Sequence, residues 1–178
     1  MDKLNTGFQF ETPRLDVQPW DQTLSDNALR ARLVDQLATI LTPPVLHHLP
    51  KPLQLAQPPH AIENWINERA AESAVLTIYD KANHSLLGLM ILASFPQDNA
   101  TTTVHLGYLL GETTWGKGFA SELIMGLITE YKNQATPLRL LGGVETSNPA
   151  SARVLVKNGF SRVETISTAE TEFYELIL

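Results

Sequence analysis

The sequence predicts a mixed α/β protein in which a mostly antiparallel sheet carries helices on both faces. Three observations lead to this prediction. Short apolar stretches separated by brief polar turns follow one another between Ala74 and Leu110, as in an antiparallel meander. An amphipathic stretch from Phe119 to Tyr131 then separates two apolar stretches, and such a crossover makes the flanking strands parallel. The chain has 178 residues, 43% of them hydrophobic, which suits one domain spanning residues 1–178 with a sizeable core.

Composition narrows the function classes. The chain has no cysteine, which excludes disulfides, thiolate metal sites and a cysteine nucleophile. The N-terminus lacks a basic-then-apolar signal pattern and no apolar run approaches the length of a membrane span, so we expect a cytoplasmic protein without a membrane partner. The net charge of −6 argues against general nucleic-acid binding and suits an amine substrate, although solubility alone also explains it. We expect a monomer or a homodimer.

The first part of the chain predicts a strand and a helix. Apolar residues from Phe8 to Val17 indicate the strand, and Pro13 either places it at a sheet edge or interrupts it. A helix is expected from about Asn27 to Ile40, because apolar residues recur along it at the spacing of one helical face. Either Ser25 or Asp26 is suited to be its N-cap.

A proline-rich segment follows, from Leu41 to Pro59. It contains six of the eleven prolines and is expected to be a loop. It also contains apolar residues that a solvated linker would lack, namely Val45, Leu46, Leu49, Leu53 and Leu55. We therefore expect it to pack on the body of the protein, where long loops often have a functional role. Its two histidines, His47 and His48, are adjacent, a spacing that rarely gives two ligands to one metal ion.

The remaining elements are helices and further strands, which bring the sheet to about seven strands. They are a helix at Ala61–Ala71, strands at Ala74–Tyr79, Leu86–Phe95 and Thr102–Leu110 with a turn at Pro96–Asn99, a helix at Phe119–Tyr131, a strand at Leu138–Val144, a helix at Pro149–Lys157, and a hairpin of Ser161–Ile166 with Glu172–Leu178. The last helix has clear boundary signals. Asn148 is suited to be its N-cap, Pro149 its first residue and Gly159 its end.

The connection from Gly111 to Ala120 is the most informative stretch. It joins a predicted strand to a predicted helix, and five of the ten glycines lie in it or beside it. Small residues allow the backbone to approach an anion closely. The unpaired N–H groups of the first helical turn and the helix dipole can then hold that anion. The connection therefore predicts a site for phosphate groups.

Three ligand classes use such a turn. A dinucleotide fold needs G-x-G-x-x-G/A, and here Gly116 and Gly118 fit but Ser121 holds the third position. A nucleoside-triphosphate P-loop fits from Gly111 to Lys117, but the next residue is a glycine and not the hydroxyl residue that would bind Mg²⁺. The third class is coenzyme A, whose pyrophosphate binds to a turn of the form [QR]-x-x-G-x-[GA] without a metal.

Two motifs in the second half of the chain resemble those of a known superfamily. They are Leu106–Leu110 followed by Trp115–Ala120, and Asn148–Phe160, with a weaker third match at Thr12–Leu15. In order and spacing they resemble the GNAT superfamily of acyl-CoA-dependent N-acyltransferases, and within it the RimJ/RimL-like branch. Gly118 and Ala120 occupy the family's G and G/A positions, and Trp115 occupies a position where the superfamily usually has Gln or Arg.

The resemblance implies a fold and a co-substrate. In such proteins the strands equivalent to Val104–Leu110 and Leu138–Val144 splay apart, and acetyl-CoA enters the gap without any metal. Leu109 and Leu110 would present backbone groups to the pantetheine arm. The N–H groups that would hold the pyrophosphate belong to Gly116, Lys117, Gly118, Phe119 and Ala120. The Lys117 side chain either adds charge there or is simply solvated.

Further roles follow from the same resemblance. Trp115 is expected to be a core plug beneath the turn, with a wall of the cofactor site as the alternative. Asn148 would combine its N-cap role with a contact near the coenzyme A arm. The resemblance to RimL-like enzymes makes Ser151 the candidate to protonate the leaving thiolate. Many other relatives have a tyrosine where this chain has Leu155, which strengthens Ser151 by default and leaves water as the alternative acid.

The general base is less clearly indicated. Glu145 ends a central strand beside the expected cleft, and Glu112 opens the turn. His105 lies on the strand that faces the gap and has a side chain whose usual pKa, near 6.5, suits a base. Glu145 would need an upward pKa shift from burial. Glu145 and His105 are therefore equal candidates.

The acceptor implied by the resemblance is a primary amine, either a small molecule or a ribosomal or other protein N-terminus. The apolar proline-rich segment favours a lid over a moderate pocket, and such a lid would exclude water from the thioester. Two alternatives remain open from the sequence: a degenerate relative that binds acyl-CoA as a sensor without turnover, and a P-loop nucleotidase.

Overall fold

Six helices and eight strands make up the computed structural model, which describes residues 8–55, 61–96, 102–134 and 137–178. The strands are Phe10–Glu11 (β1), Leu15–Pro19 (β2), Ala74–Asp80 (β3), Leu86–Pro96 (β4), Thr102–Leu110 (β5), Leu138–Glu145 (β6), Ser161–Arg162 (β7) and Thr171–Ile177 (β8). The helices are Asp21–Ser25 (α1), Asn27–Ile40 (α2), Pro43–His47 (α3), Ala61–Glu72 (α4), Phe119–Asn133 (α5) and Pro149–Lys157 (α6). Positions 97–99 of the predicted turn and positions 56–59 of the proline-rich segment lie outside the described residues.

All eight strands form one sheet in the order β1-β2-β3-β4-β5-β6-β8-β7. Every neighbouring pair is antiparallel except β5 and β6, which flank α5 and run parallel, as the sequence predicts. Their pairing covers only Thr102–Leu106 against Leu138–Gly142, and beyond those residues no register is shared. The predicted splay between the two central strands is thus present, and it opens towards the turn that precedes α5.

Two apolar clusters cover the two faces of the sheet, which confirms helices on both sides. One cluster contains the buried residues of α5 and α6, and the six apolar residues predicted for the α5 face are all buried: Phe119, Leu123, Ile124, Leu127, Ile128 and Tyr131. The other cluster joins α2, α3 and α4 to the opposite face. Strand β4 contributes side chains to both clusters, since Met90 faces the first cluster and Leu89 and Ile91 face the second.

The first predicted strand is wrong as a single element. It is divided into β1 and β2 by the connection Thr12–Arg14, in which the Thr12 N–H donates to the Leu15 carbonyl, 2.9 Å away. Pro13 has no N–H to donate to a ladder, so the chain turns there and the count rises to eight strands. The final hairpin is confirmed, but its first strand is limited to β7.

The proline-rich segment packs on the body as predicted, but part of it is helical. Helix α3 begins at Pro43, where a missing N–H costs no hydrogen bond, and Leu41, Val45 and Leu49 are buried in the second cluster. Asp26 is the N-cap of α2, and its carboxylate accepts the Ala28 and Leu29 N–H groups at 2.9 Å each. In the part of the chain described here, no helix combines the length and the apolar character that crossing a bilayer requires.

Candidate functional site

The connection between β5 and α5 forms a tight turn with free donors at its end. Gly116 and Gly118 have φ angles of 71° and 81°, in the left-handed region that glycine adopts without strain. The Glu122 N–H donates to the Gly118 carbonyl at 3.1 Å. The N–H groups of Phe119 and Ala120 precede this bond and therefore lie at the open end of the helix, where anions bind.

Arg14 braces this turn from the β1–β2 connection. Its Nε donates to Glu122 in the first turn of α5 at 2.6 Å, and one of its terminal nitrogens donates to the Lys117 carbonyl at 3.0 Å. Its guanidinium also lies 4.2 Å from the centre of the Phe119 ring. The sequence marks Arg14 only as part of the weak third motif, because nothing local indicates that residues more than 100 positions apart meet.

Burial alone would raise the pKa of Glu122. Hydrogen bonds from Thr12 and from the backbone and side chain of Arg14, together with the charge of Arg14, outweigh this effect and hold the pKa of that carboxyl below its ordinary value. Glu122 is therefore ionised at neutral pH. It anchors Arg14 beside the turn, and Arg14 in turn offsets a negative charge that would repel an anion.

Trp115 is not a core plug, and the prediction that it fills space beneath the turn is wrong. Its side chain is 44% exposed, and its indole N–H donates to the Leu110 carbonyl at 2.8 Å. Thr114 is buried at this place instead, with its hydroxyl donating to the Gly111 carbonyl at 2.6 Å. Held by its N–H, the indole forms a wall of the adjacent cavity.

Two cavities lie beside the splay. The turn cavity, of about 470 Å³, is bordered by the start of α5, by α6 and by the end of β5. Its lining includes the candidate coenzyme A residues Leu109, Leu110, Trp115, Gly116, Gly118, Phe119, Ala120, Asn148 and Ser151. Lys117 is exposed and does not line it, although its carbonyl is held by Arg14. Nearly all of the coenzyme A candidates named from the sequence therefore line one cavity.

The sheet cavity, of about 450 Å³, is bordered by β5, β6 and the proline-rich segment. His105 and Glu145 both line it, and neither lines the turn cavity. Burial and the nearby Arg139 lower the pKa of His105, whose ring lies 4.8 Å from that of Phe95. Glu112, the third candidate base, lines neither cavity and accepts a hydrogen bond from the Thr42 hydroxyl.

The two cavities meet where the strands part. Their shared lining consists of His48, Leu49, Tyr108, Leu109, Asn148 and Ser151. Here the Tyr108 hydroxyl lies 3.0 Å from the Ser151 hydroxyl, so one donates to the other. Burial raises the pKa of Tyr108, and its hydrogen bond to Ser151 only partly opposes this, so the phenol keeps its proton at neutral pH.

Helix α6 brings Ser151 to this junction. Asn148 is its N-cap, as predicted, and its side-chain oxygen accepts the Ser151 N–H at 3.2 Å. Leu155, one turn later, is buried in the core. The tyrosine hydroxyl at this site comes instead from Tyr108 on β5, which sequence reasoning overlooked because the residue reads simply as part of an apolar strand.

The arrangement suits transfer of a small group between two bound molecules. An anionic ligand can lie along the turn cavity with its phosphates on the donors of α5, and a second molecule can approach through the sheet cavity. The paired hydroxyls at the junction can give a proton to a leaving group. Among the described residues no group of three histidine or carboxylate side chains could hold a metal ion.

Comparison with solved structures places this fold among acetyltransferases. A GNAT-family acetyltransferase from Bacillus anthracis has a TM-score of 0.70 and 14% identity over 96% of this chain and 98% of that chain. RimL, a ribosomal L7/L12 alpha-N-protein acetyltransferase in complex with coenzyme A, has a TM-score of 0.66 and 15% identity over 94% of this chain and 96% of that chain. The microcin C7 self-immunity acetyltransferase, in complex with acetyl-CoA and AMP, has a TM-score of 0.68 and 16% identity over 98% of each chain.

Identities this low indicate a shared fold alone. No curated protein sequence matches the chain significantly. The family assignment comes from the sequence itself, since residues 15–161 match the model of the acetyltransferase (GNAT) domain. That match covers most of the chain, including β5, the turn, α5 and α6, and the chain therefore belongs to the GNAT family of acetyltransferases.

Proposed function

We propose that the protein transfers the acetyl group of acetyl-CoA to a primary amine, by direct attack of the amine in a ternary complex. The observation that carries this proposal is the meeting of the turn cavity and the sheet cavity at Tyr108 and Ser151. A donor and an acceptor that enter from the two sides would be held with their reacting atoms close together. Such positioning can supply about 7–11 kcal/mol of the barrier.

Acetyl-CoA would occupy the turn cavity. Its pyrophosphate would accept hydrogen bonds from the turn and from the first N–H groups of α5, and Arg153 and Lys157 of the same lining add positive charge. The pantetheine arm would follow Leu109 and Leu110, whose backbone groups are free of pairing with β6 at this point. The coenzyme A and acetyl-CoA complexes of RimL and of the microcin C7 self-immunity acetyltransferase support this choice of donor.

The leaving thiolate would take its proton from the Tyr108–Ser151 pair. Ser151 is the sequence candidate for this role, and Tyr108 extends it, because a phenol is a stronger acid than an alcohol and here keeps its proton at neutral pH. Thiolates are good leaving groups, so a modest contribution from this pair suffices. Glu145 and His105 remain candidates for the base on the acceptor side.

The acceptor would be a small amine or the first residue of a peptide. The sheet cavity is of moderate size, and Leu49, Pro50 and Leu53 of the proline-rich segment form part of its wall. This supports the lid interpretation more than an open polar groove. Glu145 would attract the positive charge of the amine. A ribosomal protein N-terminus, the substrate type of RimL, is the second candidate.

The first test measures acetyl-CoA binding and coenzyme A release with the intact protein. Acetyl-CoA at 100 times its Kd should stabilise the fold by about 2.7 kcal/mol through mass action, and EDTA should change nothing. Release of coenzyme A should then appear with some member of a panel of small amines, N-terminal peptides and whole ribosomal proteins. If millimolar acetyl-CoA leaves the melting temperature unchanged and no amine releases coenzyme A, the proposal is wrong.

The two alternatives left open by the sequence receive no support. The sensor alternative depends on a missing proton donor, but Tyr108 brings a hydroxyl to the place where Leu155 provides none. The P-loop alternative needs a sheet of mainly parallel strands, whereas among the described strands only β5 and β6 run parallel. Binding of ATP with Mg²⁺ in preference to acetyl-CoA would reopen it.

A further inference from the structure

His48 has an unexplained position at the junction of the two cavities. Of the six side chains that line both, it is the only imidazole, the group that most often acts as a general base in enzymes. Leucine, asparagine and serine offer no comparable base, and burial raises the pKa of Tyr108, which keeps its proton. The two carboxyl and imidazole candidates recognised in the sequence, Glu145 and His105, reach only the sheet cavity.

The fold holds the His48 ring at this place. The residue caps the C-terminal end of α3, where its backbone N–H donates to the Val45 carbonyl at 3.3 Å. Val45 and Leu49 on either side are buried in the second cluster, so the backbone between them is anchored. The imidazole lies 6.2 Å, centre to centre, from the indole of Trp115, which is itself fixed to the Leu110 carbonyl.

One ring nitrogen of His48 has no partner in the described part of the chain. Its Nδ1 is shielded from solvent and makes no hydrogen bond there. Buried polar atoms are normally satisfied, so an imidazole nitrogen without a partner needs an explanation, such as a bound molecule or a catalytic role.

We propose that His48 is the general base that removes a proton from the acceptor amine. The inference rests on the proposed function and adds to it the residue that prepares the nucleophile. An amine that enters through the sheet cavity arrives as an ammonium ion, whose nitrogen has no free electron pair. A base must take one proton before attack, and it must lie where the amine meets the thioester, which is the junction.

The proton and electron balance of the step is complete without a further reagent. The ammonium ion gives one proton to the His48 ring, and the freed electron pair of nitrogen forms a bond to the thioester carbonyl carbon. The carbon–sulfur bond breaks and its electron pair leaves with sulfur. Sulfur takes a proton from the Tyr108–Ser151 pair, which regains one from the new amide nitrogen. His48 releases its proton to solvent, giving the N-acetyl amine and free coenzyme A.

Several ionisable groups near the junction could influence or mimic this titration. They are His47 beside the His48 ring, Tyr108 on β5, Arg153 and Lys157 on the α6 side of the turn cavity, and His105 and Glu145 in the sheet cavity. His47 is exposed and lines neither cavity, although its ring centre lies only 5.3 Å from that of His48. It is therefore a matched control, with the same side chain, the same helix end and no access to the substrates.

The test compares kcat as a function of pH for the wild-type protein, His48→Gln and His47→Gln, with the best amine of the panel. In the wild type, kcat should fall at low pH, where the base is protonated, and should become level at higher pH. In His48→Gln, kcat at pH 7 should be lower by roughly 100-fold or more, and should keep rising with pH as the amine itself loses its proton. His47→Gln should behave like the wild type.

Acetyl-CoA affinity and melting temperature are measured on each variant, with His48→Asn as a second replacement should the glutamine variant fold poorly. If His48→Gln binds acetyl-CoA as the wild type does but no longer shows the wild-type fall of kcat at low pH (its acid limb), His48 is the base. A His48→Gln variant that keeps both its rate and its acid limb overturns the assignment, as does loss of that limb in Glu145→Gln or His105→Gln instead. A wild-type protein that binds acetyl-CoA but acetylates no amine overturns the proposed function itself, and the assignment with it.

Discussion

At the scale of single residues, the turn before α5 depends on backbone conformation more than on side chains. Gly118 has a φ of 81°. Apart from its chain neighbours, the Arg14 guanidinium is the only described group within 4 Å of a Cβ placed there, at 3.5 Å. Space is therefore available, but a side chain would be strained unless it tolerates the left-handed region. Asn and Asp tolerate that region better than other residues. Replacing Gly118 by Asn and by Asp therefore separates the effect of a negative charge from the effect of backbone strain.

We predict that Gly118→Asp binds acetyl-CoA roughly tenfold or more weakly than Gly118→Asn. The two replacements have the same size and similar backbone strain, but only the aspartate carries a negative charge next to the proposed pyrophosphate position. Like charges about 4 Å apart near a protein surface repel by a few kcal/mol. Calorimetric titration measures the two affinities, and matching melting temperatures show that the folds are equally intact. Equal affinities would place the phosphates elsewhere.

At the scale of elements, the start of α5 is tied to the beginning of the chain. Glu122 accepts hydrogen bonds from the Thr12 hydroxyl at 2.6 Å and from the Arg14 backbone and side chain at 2.9 and 2.6 Å. The helix alone would begin wherever its apolar face begins. The contacts from the β1–β2 connection hold its first turn in register with the sheet, which orients the N–H groups offered to an anion.

The hydrogen bonds of Glu122 to Thr12 and Arg14 should make the stability of the fold depend on pH within a defined range. The pKa of Glu122 is lower in the folded protein than its ordinary value of 4.5, so its ionised form contributes stability at higher pH. That contribution is complete above about pH 5 and is lost as the pH falls below 4.5 through the folded-state pKa. We expect Glu122→Gln to be less stable than the wild type by about 1 kcal/mol near neutral pH, a difference that vanishes in acid.

Urea unfolding at a series of pH values measures this difference. Glu130→Gln is the matched control, because Glu130 lies on the same helix and its side chain makes no hydrogen bond or ion pair with the described residues. Its stability should follow that of the wild type at every pH. A Glu122→Gln variant that is equally less stable at pH 7 and at pH 3 would show that the carboxylate charge is not what holds the helix.

At the scale of the whole molecule, one sheet supports both cavities. The two apolar clusters lie on its opposite faces, and we propose on this ground that residues 1–178 form a single domain. The splay of β5 from β6 opens a passage between the faces, and the proline-rich segment closes one side of it. The acceptor space is thus set by distant parts of the chain together.

Gly107 is expected to set the depth of that space. It lines the sheet cavity, and a Cβ at its position would meet no other part of the described chain within 4 Å, apart from its two chain neighbours. Gly107→Ala and then Gly107→Val should therefore fold and narrow the cavity in steps, while acetyl-CoA affinity stays the same. The kcat/KM for bulky amines should drop roughly tenfold or more, and that for the smallest amine should change little. An equal loss for all amines would show that the acceptor does not bind beside this strand.

The sequence by itself determined the features that depend on neighbouring residues. The apolar face of α5, the N-cap Asn148 and the glycines of the turn are all local, because helical spacing, capping and positive φ act over a few positions. The parallel arrangement of β5 and β6 also follows from the sequence, since a crossover helix between two strands of one sheet leaves few alternatives. These elements contain most of the candidate coenzyme A site.

Only the tertiary structure decided which distant side chains meet. Arg14 reaches the turn from more than 100 residues away, Tyr108 finds Ser151 across the splay, and the proline-rich segment places His48 at the junction. The exposure of Trp115 depends on the tertiary structure for the same reason, because an indole next to a turn is buried or exposed according to what packs over it. Such contacts depend on strand register and on how helices cover a sheet, which no short stretch of sequence contains.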